Sequence, residues 1–132
     1  MQTIPRVLVT GGCGYIGSHC VWHLLERGFK VVVLDSLENG NASSLEASKS
    51  VDIIKRPLAN DDLVVYKGST GDVSVVEKIL TEQTGIVAII NFAAYLEVNE
   101  STKEPLKYYR NNPAAPTILL ETVMKHGVKY FI

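Results

Sequence analysis

The sequence is short of three things, and each shortage excludes a class. It has two cysteines in 132 residues, Cys13 and Cys20. They are too few and too badly placed for a disulfide framework, so a stapled secreted mini-domain is excluded. No apolar run approaches the roughly 18–20 residues of a membrane span. Neither charge is in excess: 13 Lys plus Arg stand against 14 Asp plus Glu, a net −1. That balance argues against a nucleic-acid or anionic-membrane binder, so neither partner is expected. It still allows a small anion held by a few backbone groups.

The N-terminus, Met1 to Arg6, leads straight into an apolar run and lacks the parts of a secretory signal. The Asn41 and Asn99 sequons are therefore read as chance. A reduced, soluble, cytoplasmic protein is expected. The length allows one domain, residues 1–132.

What is present is an alternation of two periods. Val7-Leu8-Val9, Val31-Val32-Val33-Leu34, Leu63-Val64-Val65-Tyr66 and Val87-Ala88-Ile89-Ile90 are short, continuous and rich in β-branched residues. Helical spacing separates them. It runs over 16–27, with Gly28 as a C-terminal stop. It returns over 73–83, with Val73, Val76, Ile79 and Leu80 on one face and Asp72 as N-cap. It appears a third time over 104–126. Proline in a helix interior costs about 3 kcal/mol. Pro113 and Pro116 therefore predict a kink or break near 112–116, with Pro116 restarting a helix. Lys129 to Ile132 would be a fifth strand, or mark a fragment. Residues 36–62 read as a surface excursion with a helical hint over 44–55. Continuous apolar strands alternating with helices imply an α/β fold: a Rossmann-type, doubly wound parallel sheet of about five strands, order 3-2-1-4-5.

The strongest chemical signal is Thr10-Gly11-Gly12-Cys13-Gly14-Tyr15-Ile16-Gly17, where the first strand meets the first helix. Two spacings fit a dinucleotide turn: Gly12, Gly14, Gly17, or Gly11, Gly14, Gly17. Glycines turn the chain, admit a pyrophosphate and pack the helix close. The helix start then offers unpaired N–H groups to phosphate. Asp35 ends the second strand 18 residues after Gly17. A carboxylate there accepts ribose hydroxyls and repels a 2′-phosphate, which favours NAD over NADP. The bland alternative is a tight turn without ligand.

Other candidates read more plainly. His19 and His23 share a helix face, but no third metal ligand is evident and no metal site is expected. Cys13 reads as a small turn residue, and Trp22 and Leu25 as packing residues. Asn111 would lock the loop after the fourth strand or touch a cofactor.

These residues together resemble the extended short-chain dehydrogenase/reductase family, within it the UDP-glucose 4-epimerase branch. The resemblance rests on Val7 to His19, Val31 to Leu37 with Asn39-Gly40, Asn91 to Ala94, Val98 to Ser101 and Pro105 to Asn112. It implies NAD with Gly11, Gly14, Tyr15, Ile16 and Gly17 beside the pyrophosphate. It implies Asp35, Ser36, Leu37, Asn39 and Gly40 around the adenosine ribose, and Phe92, Ala93, Ala94 and Asn111 along the cofactor. Ser69, followed by Thr70, stands where the family has an aspartate for the adenine. Leu96 stands where it has a lysine, Asn91 a histidine and Pro116 a glycine. The resemblance further implies interconversion of UDP-glucose and UDP-galactose through a 4-keto sugar, hence galactose metabolism. The family's proton transfer uses a Tyr-x-x-x-Lys pair. No tyrosine here has a lysine four positions later. No catalytic residue is therefore expected, and the chain reads as the N-terminal, NAD-binding portion of a longer isomerase, inactive alone. A UDP-sugar partner and a homodimer would need the full-length protein. An inactive NAD-binding regulatory module and a nucleotide-sugar dehydratase fragment are the alternatives.

Overall fold

The strand runs pair because each is apolar on both sides. In β1 (Arg6–Thr10), Val7 and Val9 point to one face of the sheet and Leu8 to the other. β2 (Lys30–Asp35) repeats this with Val31 and Val33 against Val32 and Leu34. Such strands need cover on both faces, the signature of a parallel sheet. A computed structural model describes residues 4–47 and 58–132 of the chain. With β3 (Leu63–Lys67), β4 (Ile86–Asn91) and β5 (Tyr130–Phe131) it forms one sheet of order β3-β2-β1-β4-β5. Every pairing is parallel. The expected order and fold class hold.

Two apolar layers sandwich the sheet. On one face, α1 (Tyr15–Glu26) and α2 (Ser43–Ala47) bring Val21, Trp22, Leu25 and Leu45 onto Val7, Val9, Val31 and Val33. Trp22 and Leu25 are packing residues, as expected. Ile16, the first apolar residue of the helical spacing that runs over 16–27, stands exposed at the start of α1. On the other face, α3 (Val73–Glu82) and α6 (Ala115–Lys125) bring Val76, Ile79, Leu119 and Val123 onto Leu8, Val32, Leu34 and Ile89. Val73, assigned to the buried side, is exposed. The helical hint over 44–55 is met by α2 at its beginning, and its remainder lies outside the described residues.

The third helical segment differs from its pattern. A helix, α4 (Val98–Lys103), precedes it without a sequence signal. Glu104 then separates α4 from α5 (Pro105–Tyr109). The interruption predicted at the prolines is a π-helical turn over Arg110–Ala114, and Pro116 lies in the first turn of α6. The wider turn absorbs the N–H that Pro113 lacks without leaving right-handed backbone. The right-handed backbone runs on through the turn, so the segment is not broken there.

Asp72 caps α3 as its position predicts. Its Oδ1 accepts from the Ser74 N–H at 3.0 Å, the Ser74 hydroxyl at 2.6 Å and the Val75 N–H at 3.4 Å. The Ser74 hydroxyl, then the Val75 N–H, hold this carboxyl below its ordinary value of 3.8. A carboxylate with a depressed folded pKa stabilises above its unfolded pKa and loses the effect as pH falls through the folded one. Asp72→Ala should therefore lower the urea midpoint at pH 7. The gap to the parent should close on acidification below 3.8. An unchanged midpoint at pH 7 refutes the cap.

Candidate functional site

The chain leaves β1 and β2 towards α1 and α2 on one face, and leaves β3 and β4 towards helices on the other. The direction changes between the neighbours β1 and β4, which opens a crevice beyond the strand ends. A cleft of about 500 Å³ lies there.

Its floor is the glycine turn. Gly11 takes φ +67°, a left-handed conformation, and a Cβ on it would lie 2.7 Å from the Ala93 nitrogen. A Cβ on Gly17 would lie 2.1 Å from the Gly11 carbonyl oxygen. The Gly14 N–H closes the turn onto that same oxygen at 3.1 Å. A Cβ on Gly12 would instead strike Val33 at 2.8 Å, on the core side. The two spacings are thereby separated: Gly11, Gly14 and Gly17 line the cleft, and Gly12 packs beneath it.

α1 begins at this turn with no side-chain cap and no acid in its first turn. Helical bonding starts with the Ser18 N–H on the Gly14 carbonyl at 2.9 Å. The N–H groups of Tyr15, Ile16 and Gly17 precede it and are the helix's unsatisfied donors. With the positive end of the helix dipole they form an anion site made of backbone. A net charge of −1 is no obstacle to such a site.

Asp35 forms the second wall. It is 8% exposed. Its Oδ2 accepts the Cys13 N–H at 2.9 Å and its Oδ1 the Leu37 N–H at 2.9 Å. The carboxylate so ties the end of β2 to the glycine turn. A carboxylate has about four acceptor positions, and the cleft side keeps the remainder for a ligand hydroxyl.

Cys13 is the joint between two loops, in keeping with its reading as a turn residue. Its carbonyl accepts the Asn41 N–H at 3.3 Å and the Ser44 hydroxyl at 2.9 Å. Its thiol is buried, and burial followed by the Asp35 charge pushes its pKa up to about 11. A thiol in that state carries little thiolate at neutral pH. Iodoacetamide should alkylate Cys20, which is half-buried, before Cys13. Peptide mass spectrometry of the folded protein reads the order, and faster labelling of Cys13 contradicts it.

The far wall is the loop after β4. Phe92, Ala93, Ala94, Tyr95 and Leu96 line the cleft with Asn111. Leu96 is 82% exposed. Asn112 locks this loop. Its Oδ1 accepts the Tyr95 N–H at 2.8 Å, and its Nδ2 donates to the Tyr95 carbonyl at 2.9 Å. The Asn111 amide donates to Asn112 at 3.0 Å. The locking role offered to Asn111 thus falls to its neighbour, and Asn111 faces the cleft.

The cleft also gathers Ser36, Asn39, Gly40, Ser69 and Thr70. Leu37 is the exception. It is the described non-glycine residue with positive φ, at 61°, and its side chain packs with the core under α1. Leu34, Gly68 and Tyr95 line the cleft although no spacing marked them. The signal for Leu34 and Gly68 was available, since both sit at strand ends beside marked residues. His19 Nδ1 lies 2.7 Å from the Tyr15 carbonyl, on the exposed side of α1. Among the described residues, no three His, Cys, Asp or Glu side chains are grouped to hold a metal. No helix among them is long and apolar enough to cross a membrane.

The family model for GDP-mannose 4,6 dehydratase matches residues 8–132. UDP-glucose 4-epimerase of Bacillus subtilis is 40% identical over 126 residues, which are 96% of this chain and 35% of that protein. UDP-arabinose 4-epimerase 1 of Arabidopsis thaliana is 39% identical over 129 residues, 98% of this chain and 29% of that protein. Among solved structures, UDP-glucose-4-epimerase of Stenotrophomonas maltophila with bound NAD and formylated UDP-arabinopyranose superposes with a TM-score of 0.83. It is 35% identical, over 96% of this chain and 35% of that one. UDP-glucose 4-epimerase of Thermus thermophilus in complex with NAD gives a TM-score of 0.78 at 30% identity, over 96% and 36%. The chain thus spans about a third of the length of these relatives.

Proposed function

The chain belongs to the GDP-mannose 4,6 dehydratase family, and from that premise we propose that it is the NAD-binding part of a UDP-glucose 4-epimerase-like isomerase. The observation that carries this reading is the conjunction of an uncapped helix start on a glycine turn with a buried Asp35 across the same cleft. The residues fit the cofactor. A side chain at Gly17 would strike the Gly11 carbonyl and one at Gly11 the backbone of Phe92 and Ala93, so glycine there lets α1 start close on the turn, where its first N–H groups await an anion.

In this reading the turn and the donors of Tyr15, Ile16 and Gly17 hold the pyrophosphate. Asp35 orients the adenosine ribose, with Ser36, Asn39 and Gly40 beside it, and Leu37 serves by its backbone. Ser69 and Thr70 border the adenine. Phe92, Ala93, Ala94, Leu96 and Asn111 border the nicotinamide half. When bound, NAD supplies reversible hydride acceptance from the sugar carbon. These 132 residues orient it and keep water from one side, as a single domain. The proton transfer belongs to a Tyr-x-x-x-Lys pair that these residues do not contain. UDP-sugar binding and homodimer formation belong to the longer protein, as do a cytoplasmic location and a role in galactose metabolism.

Calorimetry tests the reading. NAD should bind, and NADP should bind at least about tenfold more weakly, because Asp35 opposes a 2′-phosphate. Absence of heat at millimolar NAD refutes it. Provided with the remainder of an epimerase, the protein should convert UDP-galactose to UDP-glucose. Accumulation of a 4-keto-6-deoxy sugar would instead assign a dehydratase.

A further inference from the structure

β1 lies between β2 and β4, so the loops after β2 and β4 flank the glycine turn. Among the described residues, one side-chain bond joins these flanking loops. The Tyr95 hydroxyl, from the loop after β4, donates to Glu38 Oε2, from the loop after β2. The partners are 57 positions apart in sequence.

Each end is aimed. At one end, Leu37 holds φ 61° while its side chain packs, half-buried, against the core that α1 covers, and Glu38 beside it is exposed. A leucine holds that conformation only where its surroundings impose it. At the other end, Asn112 fixes both backbone polar groups of Tyr95. The Tyr95 ring is packed against Tyr108, with centroids 5.5 Å apart, and lies 4.7 Å beneath the Lys107 ammonium. Lys107 is itself held by Glu100 at 2.7 Å, and Glu100 also accepts the Tyr108 hydroxyl at 2.8 Å. The Glu38 bond, then burial, holds the Tyr95 phenol above its ordinary range, so it remains a donor at neutral pH. The Tyr95 backbone is thus held by Asn112, and the Glu38 side chain is exposed.

We propose that Tyr95 and Glu38 form a strap across the cleft that must part to admit the dinucleotide and re-forms to retain it. Both are positioning residues: they act on passage and leave the contacts of the bound nucleotide to the turn and Asp35. The inference rests on the dinucleotide reading of the cleft. A bond that gates passage raises the barrier to entry and to release together, and so leaves affinity almost unchanged. A direct ligand contact would change release and affinity in step.

The test compares the protein with Tyr95→Phe, which keeps the ring, and with Glu38→Ala, which removes the other end. Stopped-flow fluorescence with NADH should show entry and release both about tenfold faster in either variant, the worth of one hydrogen bond to a charged group. The dissociation constant should stay within about threefold. The double variant should add nothing further, because either single change already opens the strap. Without ligand, the amides of Glu38, Asn39 and Gly40 should exchange hydrogen faster in Tyr95→Phe. Unchanged rates in variants that bind NADH overturn the strap alone. Faster release matched by an equal loss of affinity also overturns it, and makes the hydroxyl a ligand contact. A parent protein that binds no NADH overturns the dinucleotide reading and the strap with it.

Discussion

Gly17→Ala should raise the dissociation constant for NAD by at least about 100-fold and lower stability by about 2–3 kcal/mol. The added methyl would lie 2.1 Å from the Gly11 carbonyl oxygen, 2.9 Å from the Gly11 carbonyl carbon and 3.0 Å from Gly12 Cα. All three are backbone atoms, so no side chain can rotate away. The start of α1 has to lift from the turn, and its N–H groups then leave the position where they face an anion. Gly12→Ala is the informative control. Its methyl would meet the Val33 side chain at 2.8 and 2.9 Å. That collision is in the core, and it should reduce stability while moving affinity much less. Calorimetry and urea denaturation of both variants measure the contrast. If Gly17→Ala binds NAD within about threefold of the parent, the close approach of helix and turn is not what holds the cofactor.

The second large effect belongs to Asp35→Asn. An amide offers one acceptor oxygen and one NH2 group. The parent carboxylate accepts two N–H groups, from Cys13 and from Leu37. One of these must face a donor in the variant, on a residue only 8% exposed. Leaving a buried N–H unpaired costs about 1–3 kcal/mol. The variant also loses the charge that opposes a 2′-phosphate. The preference for NAD over NADP should therefore fall by at least about tenfold, even where both bind more weakly. The ratio of the two dissociation constants is the decisive number, since a merely loosened turn lowers both affinities alike. An unchanged ratio would remove Asp35 from cofactor choice.

Both effects fall on residues that the sequence marks, Gly17 and Asp35. Val7-Leu8-Val9 and Val31 to Leu34 are continuous apolar runs, and a continuous run is buried on both sides. With helical spacing between the runs and right-handed crossovers, that gave the parallel sheet, its helices on two faces and the order β3-β2-β1-β4-β5. Gly14, Gly17 and Asp35 were equally plain, because a turn, a helix start and a strand end are set by nearby residues. Val98–Lys103 was not legible: its six residues form a helix with no buried member, so no apolar period announces it. Val73 was misplaced for a related reason. Spacing names a stripe of residues, but where a helix begins relative to its neighbour decides which end of the stripe is covered.

The sequence by itself determined the periods, the punctuation and the chemistry of the turn, since these depend on residues within a few positions of one another. Only the tertiary structure decided which glycines face the cleft. A Cβ at Gly12 meets Val33 of β2, while one at Gly11 meets the loop after β4. Only the tertiary structure turned Leu37 into the core, passed the locking role from Asn111 to Asn112 and set Tyr95 against Glu38. Each of these is a meeting between segments far apart in the chain. Strand register and loop path bring them together, and neither is written in local spacing.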